Sequence, residues 1–564
     1  MQKISTLAAA VLVAACAQIP PPVAVNWSPP RSATVDVKII AFNDFHGNLQ
    51  TPSLKVAVPD PKQSTGIRFD AAGGVEQFSA VVQALKAKNP NFAVVSAGDM
   101  VGATPLLSSL FRDEPTIEAM NLVGLDFYAL GNHDFDYGVT HLKRLKNGGC
   151  KVDEKTRQPD CGGRPVYAGA KFEFLAANVI DTASGQPLFA AYAVKEFDGI
   201  KVGFIGLNTR TTPTIVRPGG AAGMEFTEEV ATANALVPVL QRQGIEAIVV
   251  VMHEGGVQSG TINECIDFKG RGREIAEGLD PAIQVVVSAH THAYHVCEIA
   301  GKLVTSAGSY GRLVTEIDLV LDRGTGKIIA KKANNVVVDP GGAKDARLTA
   351  LVDHYAAMSA PLENRVVGKL LREVNSVTTP AGESTVGNLI ADAHLFATAA
   401  PHRGAAVIAF NNPGSLRAPI IPETDGSVKY GELFKAQPFQ NDLITMTLTG
   451  SQLKEMLEQQ FKGSDRARLL GVSKGFGYTW DNARPRGEKI VAGSMKLNGV
   501  VIDPSLQYRV TANSFLAGGS EGLTLFREGT ERQVGVLDLE ALVELFAEAS
   551  PVPPPNLGRI TRLN

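Results

Sequence analysis

The chain has 564 residues and a formal net charge of −3, from 54 Lys and Arg against 57 Asp and Glu. That length exceeds what one hydrophobic core serves and calls for two or three domains. Hydrophobic residues make up 44% and charged residues 20%, as in an ordinary globular protein, and without a basic surplus polymeric nucleic acid is not an expected partner.

The N-terminus reads as an export signal, because Lys3 precedes the apolar run Ile4 to Ala15, too short to span a bilayer. The run ends in Val13-Ala14-Ala15-Cys16, which resembles the lipobox of bacterial lipoproteins, where cleavage precedes a lipid-bearing cysteine. Residues 1–15 are therefore expected to be the signal peptide and Cys16 the lipidation site; the alternative is a secretory signal lost together with Cys16. Residues 16–34, with Pro20-Pro21-Pro22 and Pro29-Pro30, read as an extended tether. The expected location is exported, as a periplasmic or outer-membrane-anchored lipoprotein or at the cell surface, with a monomer touching membrane only through its lipid. Without Cys16, four cysteines remain, an even number that allows three pairings in an exported chain. Cys150–Cys161 would close a polar, Gly-containing insertion, and Cys265–Cys297 would join two loops; four reduced thiols are the alternative.

From Val35 short β-rich runs alternate with longer helical patterns, which argues for an α/β domain over residues 35–338. Polar residues fall at the ends of the runs. Val37 to Phe42 leads into Asn43-Asp44-Phe45-His46-Gly47, Phe92 to Ala97 into Gly98-Asp99, and Phe127 to Leu130 into Gly131-Asn132-His133-Asp134-Phe135-Asp136. Ala247 to Met252 leads into His253-Glu254, and Ile283 to Ala289 into His290-Thr291-His292. Five predicted strands thus end in a candidate ligand, where open α/β sheets gather ligands. In extended chain, residues i and i+2 share a side, so Asp44 with His46, and His290 with His292, can face one cavity. His141, His295, His354, His394 and His402 lack such company and are expected to be structural; Asp134 and Glu254 read as turn or supporting groups.

Thr116 to Asn121 and Glu228 to Gln243 read as helices, and Thr209 to Gly223, rich in Thr, Pro and Gly, as a loop near the site. Strands Lys302 to Ala307 and Val314 to Leu321 close the domain. Residues 339–365 contain a helical pattern, Arg347 to Met358, expected to link the domains. A second α/β pattern over 366–550 has helices Thr385 to Thr398, Ser451 to Phe461 and Asp538 to Ala549, and strands Ala405 to Phe410 and Leu443 to Leu448. Further strands lie near Tyr478, Met495, Val501 and Tyr508. Residues 551–564 read as a tail.

Two divalent ions a few ångströms apart suit phosphoester hydrolysis, and such a pair needs a bridging carboxylate. Asp99 is the natural bridge, with Asp44, His46, Asp99 and His292 on one ion and Asp99, Asn132, His253 and His290 on the other. Mixed carboxylate, imidazole and amide ligands favour Zn, Mn, Co or Fe over Ca or Mg without choosing among the four. His133 is left without an ion. It would protonate the leaving oxygen or stabilise a phosphoryl oxygen, with Asp136 holding its tautomer and favouring its charged form.

These motifs over Asp36 to Leu321 resemble the calcineurin-like metallophosphatases, and the whole chain resembles the secreted 5′-nucleotidase/UDP-sugar hydrolase/2′,3′-cyclic phosphodiesterase family. The resemblance implies an α/β fold: an N-terminal four-layer metallophosphatase β-sandwich flanked by helices, and a smaller C-terminal α/β nucleotide-binding domain. In that second domain Gly387-Asn388-Leu389-Ile390-Ala391-Asp392-Ala393 matches the signature helix, and Asn411-Asn412-Pro413-Gly414-Ser415-Leu416-Arg417 the Asn/Gly-rich turn. Gln437-Pro438-Phe439 and Asn513-Ser514-Phe515 match two aromatic segments. It implies that Asn412 and Arg417 contact a nucleotide whose base lies between Phe439 and Phe515, consistent with guanidinium recognition of phosphate and aromatic stacking on bases. Three positions depart from the family: Ala381-Gly382-Glu383-Ser384-Thr385 lacks its usual second Arg, Ser415 replaces a Gly, and Gly518-Gly519-Ser520-Glu521 replaces Gly-Gly-Asp. The expected activity is exported 5′-nucleotidase-type phosphohydrolysis, extending to UDP-sugars, cyclic nucleotides or NAD. The alternatives are the family's thiosulfohydrolase branch and a non-catalytic surface nucleotide-binding protein.

Overall fold

A computed structural model describes residues 32–152, 159–160, 165–217, 219–461 and 469–564. The first domain is built on two six-stranded sheets. In one, Thr34–Phe42, Phe92–Ala97, Phe127–Ala129 and Glu173–Leu175 run parallel, and Leu313–Asp322 and Ile328–Val337 extend the other edge antiparallel. In the other, Ile200–Asn208, Ala247–His253, Ile283–Val287 and Lys302–Ala307 run parallel, flanked by antiparallel Tyr192–Phe197 and Tyr294–Ile299.

These strands are apolar on both faces because both faces are covered. Ile39, Val95, Val249 and Val285 meet in the core between the sheets. Outside the first sheet, Phe78 and Val82 of Val75–Ala87, Met120 of Glu114–Val123 and Leu348 and Val352 of Ala346–Glu363 form a second core. Outside the other, Val237 and Leu240 of Glu229–Gln241 pack with Ile275 of Arg271–Gly278. The result is the four-layer order helix, sheet, sheet, helix. Since the central strands are parallel, their carboxyl ends open at one edge, with Asn208 in register with His253.

The second domain has a five-stranded sheet in the order Gly471–Val472, Ile408–Asn411, Gln507–Asn513, Asp442–Thr449, Thr530–Leu537. Helices Thr385–Thr398 and Asp538–Ala549 bury Leu389, Ile390, Leu542 and Phe546 in one core, while Leu453, Met456 and Leu457 of Gly450–Gln459 join another with Phe410 and Phe476.

Several strands escape the sequence reading, among them Ile200–Asn208 and Tyr192–Phe197 and, at sheet edges and interrupted by polar residues, Ile328–Val337 and Thr530–Leu537. The segment expected as a tail is instead part of the fold: Ile560–Leu563 pairs parallel with Phe476–Asp481, and Arg559 forms a two-pronged ion pair with Asp392 at 2.6 and 2.8 Å. Cys265 and Cys297 form the expected disulfide, with Cα atoms 5.1 Å apart, tying the loop after His253 to strand Tyr294–Ile299. Cys161, like Cys16 and the rest of the expected signal peptide and tether through Arg31, lies outside the described residues.

Candidate metal centre and substrate cavity

Each candidate ligand sits where a strand ends and the backbone turns sharply. Asp44, His46, Asp99, His290 and His292 all have positive φ, between 45° and 69°, in the left-handed region that costs non-glycine residues roughly 1–3 kcal/mol each. Five such residues in one pocket are held there by their surroundings. Gly98 and Gly131 permit the crowding: a Cβ on Gly98 would lie 2.3 Å from His253 Nδ1, and one on Gly131 would lie 2.1 Å from Asp99 Oδ1.

Two groups of ligand atoms converge: Asp44, His46 and His292, and Asp99, His253 and His290. Within the first, His46 Nε2 is 3.1 Å from His292 Nε2, and Asp44 Oδ1 is 3.3 Å from His292 Nε2. Within the second, His253 Nε2 is 3.0 Å from Asp99 Oδ2 and 3.1 Å from Asn132 Oδ1. The same Asp99 oxygen is 3.6 Å from His46 Nε2, so one carboxylate oxygen faces both groups. Its other oxygen accepts the His133 N–H at 2.8 Å, which holds the carboxylate in place.

The imidazoles are presented as ligands. His46 Nδ1 donates to the Gly102 carbonyl and His253 Nδ1 to the Ala97 carbonyl, each at 2.8 Å, which leaves both Nε2 lone pairs pointing inward. Asp44 Oδ1 is buried with no hydrogen-bond partner, while Oδ2 accepts from Asn43 Nδ2 at 2.7 Å and His290 N at 3.0 Å. Lone pairs directed at one another, beside an orphaned carboxylate oxygen, fit a pair of divalent cations.

Charge tells the same story. Burial disfavours a carboxylate at Asp99, yet His253 and His133 hold its pKa well below the ordinary value. Burial likewise opposes a charged His253, but Asp99 and then Asp44 raise its pKa to about 10. The carboxylates demand positive charge, supplied either by a proton on His253 Nε2 or by cations that would displace that proton and take the lone pair. Burial, with the help of His292, pushes His46 well below its ordinary value, so that ring stays neutral.

The sequence marks Asp134 and Glu254 as supporting groups, but not Tyr128, Asn43 or Asn208. Tyr128 OH donates to buried Asp134, accepts the Met100 N–H at 2.9 Å, and Asp134 Oδ2 accepts the Gly131 N–H at 2.6 Å, so this pair locks the turns carrying Asp99 and Asn132 together. Burial and then Asp99 push Asp134 well above the ordinary carboxylate range. Asn43 also bonds the Gly308 carbonyl at 2.6 Å, Asn208 the Gly131 carbonyl at 3.0 Å, and Glu254 accepts from Thr209 Oγ1 and Gly255 N at 2.9 Å. His295 and His394 are buried away from the cavity, and burial lowers them to about 3 and about 4.

Above the ligands lies a cavity of about 520 Å³, shared by the two domains. Asp99, Asn132, His133, Asp136, His290 and His292 line one wall, and Asn412, Arg417, Phe439 and Phe515 another. His133 Nδ1 donates to Asp136 Oδ2 at 2.8 Å, the pairing expected of an oriented imidazole. Its Nε2 accepts from Arg417 Nη2 at 2.9 Å. Phe439 stacks on the same ring with centroids 5.6 Å apart, and the Arg417 guanidinium lies 5.0 Å from the Phe439 centroid. Asn412 accepts from Asn513 Nδ2 at 3.0 Å and donates to Glu521 at 3.3 Å. Glu521 and Arg217 line the cavity too, and the sequence reading assigned neither.

A two-sheet sandwich with Asp, His and Asn at its carboxyl edge is the architecture of a metallophosphoesterase. Residues 37–294 match the family model for calcineurin-like phosphoesterases, and 365–528 that for the 5′-nucleotidase C-terminal domain. The chain is 31% identical over 518 residues to an endonuclease of Bacillus subtilis, covering 90% of this chain and 39% of that one. It is 28% identical over 518 residues to a cell wall protein of Listeria monocytogenes, covering 88% and 65%, so it spans well under the full length of both. Its fold matches that of a 5′-nucleotidase precursor from Thermus thermophilus with a TM-score of 0.73 at 26% identity, over 94% of this chain and 100% of that one. The protein belongs to the calcineurin-like phosphoesterases that carry a 5′-nucleotidase C-terminal domain.

Proposed function

We propose that the protein is an exported hydrolase that removes phosphate from nucleotides, with Asp44, His46, Asp99 and His292 holding one divalent ion and Asp99, Asn132, His253 and His290 the other. The observation that carries this reading is the single Asp99 oxygen facing both His46 and His253, at 3.6 and 3.0 Å. Two such ions, when bound, neutralise the phosphoryl oxygens and make water nucleophilic near neutral pH.

The remaining work falls to side chains of this chain. Arg417 turns from His133 to the phosphoryl oxygens, and its departure frees His133 Nε2 to carry a proton toward the leaving oxygen. Asp136, bonded to Nδ1, steadies the resulting imidazolium. Phe439 and Phe515 offer flat faces to the base, a grip that tolerates many bases. The lipid-bearing Cys16 and the tether would keep the enzyme outside the cytoplasm.

A thiosulfohydrolase would share the metal domain, but Arg417 and two aromatic rings in the cavity suit a nucleotide better. A purely binding protein has no need for the bonded pair of His133 and Asp136. The test is phosphate release by purified protein, with Zn, Mn, Co or Fe restored after chelation, across nucleoside monophosphates, UDP-sugars, cyclic nucleotides and NAD. Release from at least one nucleotide class that depends on the restored metal is expected; none from any of them refutes the reading.

A further inference from the structure

The family resemblance implied a second phosphate-binding Arg just before helix Thr385–Thr398, and this chain has Glu383 in that stretch. The structure shows Glu383 committed elsewhere: it is buried, accepts Asn388 Nδ2 at 2.8 Å, Arg559 N at 3.0 Å and Gly558 N at 2.6 Å, and serves to dock the C-terminal segment. Among the described residues, the second-domain wall of the cavity offers one guanidinium, Arg417.

A second guanidinium lines the same cavity from the opposite domain. Arg217 follows the short helix Thr212–Ile215, on a turn fixed from both sides. Val216 before it is buried in the core outside the first sheet, and the Arg217 carbonyl accepts the Gly220 N–H at 2.9 Å. Helix Thr212–Ile215 itself packs against Ser520–Gly522 of the second domain, next to Phe515 and Asn441 on the cavity wall. The Arg217 side chain is half-buried and, among the described residues, makes no hydrogen bond or ion pair. Its charge is felt by buried Asp538, the residue that holds Asn441. A half-buried guanidinium that lines a ligand cavity and, among the described residues, has no carboxylate bound to it is a cation able to take an anion.

A nucleoside monophosphate has one phosphoryl group, and that group belongs at the metal ligands beside His133 and Arg417. Arg217 then has an anion to bind when the ligand carries another. We propose that Arg217 is the second phosphate-binding cation of this cavity, supplied by the metal-bearing domain, and that it favours nucleotides with two phosphoryl groups, diphosphates and diphosphate esters, over monophosphates. The inference rests on the nucleotide-hydrolase reading for its chemistry and adds to it the substrate class.

The experiment compares wild type with Arg217→Ala and Arg217→Lys. It measures kcat and KM on a nucleoside diphosphate, a diphosphate ester and a monophosphate, and calorimetric binding of a methylene-bridged nucleoside diphosphate. Losing a charge-assisted hydrogen bond to phosphate should lower kcat/KM on the diphosphates about tenfold or more, through KM, and weaken the bridged analogue to match, with under about threefold change on the monophosphate. Arg217→Lys should restore part of the loss. Equal losses on all substrates, or unchanged binding of the bridged analogue, would overturn the inference. Failure of the functional reading looks different: wild type would release no phosphate at all, while binding of the bridged analogue would still report on Arg217.

Discussion

Replacing His133 by alanine separates catalysis from metal binding more cleanly than any other change in the cavity. Both ring nitrogens are already committed, Nδ1 to Asp136 at 2.8 Å and Nε2 to Arg417 at 2.9 Å, so the ring has no atom left for an ion. Metal content should therefore stay at the wild-type level by elemental analysis. Turnover should not. Positioned proton transfer is worth about 10²–10⁴-fold, or about 3–5 kcal/mol of barrier, and the Asp136 hydrogen bond places His133 for the upper half of that range. The loss should appear in kcat on a nucleoside monophosphate, whose ribose alkoxide leaves poorly without a proton, and be much smaller on an aryl phosphate whose phenol is acidic. KM can fall at the same time, because the shortened side chain no longer engages Arg417 or stacks with Phe439. Unchanged turnover on the monophosphate, with metal retained, would refute the role; a loss that tracks loss of metal would refute the claim that the ring is no ligand.

Phe439→Ala combined with Phe515→Ala should raise KM for nucleotides by roughly fivefold to 150-fold, from about 1–3 kcal/mol for the stacked base, while a small aryl phosphate changes little. Comparable losses on both substrates would remove the stacking role. Asp538 yields a pH prediction. Burial raises its pKa to about 7, above the unfolded value, so the folded protein binds the extra proton and stability falls as pH rises from about 4 through about 7. Asp538→Asn should flatten that fall, gaining at most about 4 kcal/mol at pH 8 relative to wild type and nothing below pH 4, less about 1 kcal/mol if its amide opposes that of Asn441. Denaturant unfolding at pH 4 and pH 8 checks it, and parallel pH profiles for the two proteins would contradict the assignment.

The metal-facing edge was legible because strand period and ligand identity point the same way. Asp44 and His46, and His290 and His292, do reach one cavity, each pair following an apolar run that forms a buried strand, although all four sit at left-handed turns beyond the strand ends and not in the extended chain that their spacing suggested. Helices Thr385–Thr398 and Asp538–Ala549 lie where their apolar spacing puts them. What stayed hidden lacked such a double signal. Strand Ile328–Val337 carries Lys331, Lys332, Asn334 and Asn335 and reads as loop, because an edge strand needs to bury little. The last strand follows a Pro-rich stretch and is made by pairing, not by its own composition. Tyr128 and Asp134 lie six residues apart, and only folding reveals that they meet. Arg217 is a lone cation in a Thr-, Pro- and Gly-rich loop, and position in space alone distinguishes it from a solvated surface group.

The contact between Arg417 and His133 gives the cavity a built-in courtesy toward its guest. The guanidinium occupies the imidazole nitrogen that would have to carry a proton, and Phe439 stacks on the ring. On the proposed function an arriving phosphate would offer the arginine a better partner, and in accepting it the arginine would hand the histidine back its working atom. On the proposed reading the proton donor would thus be armed by the same event that fills the cavity, and molecules too poor in charge to draw Arg417 away would meet a machine with its safety still on.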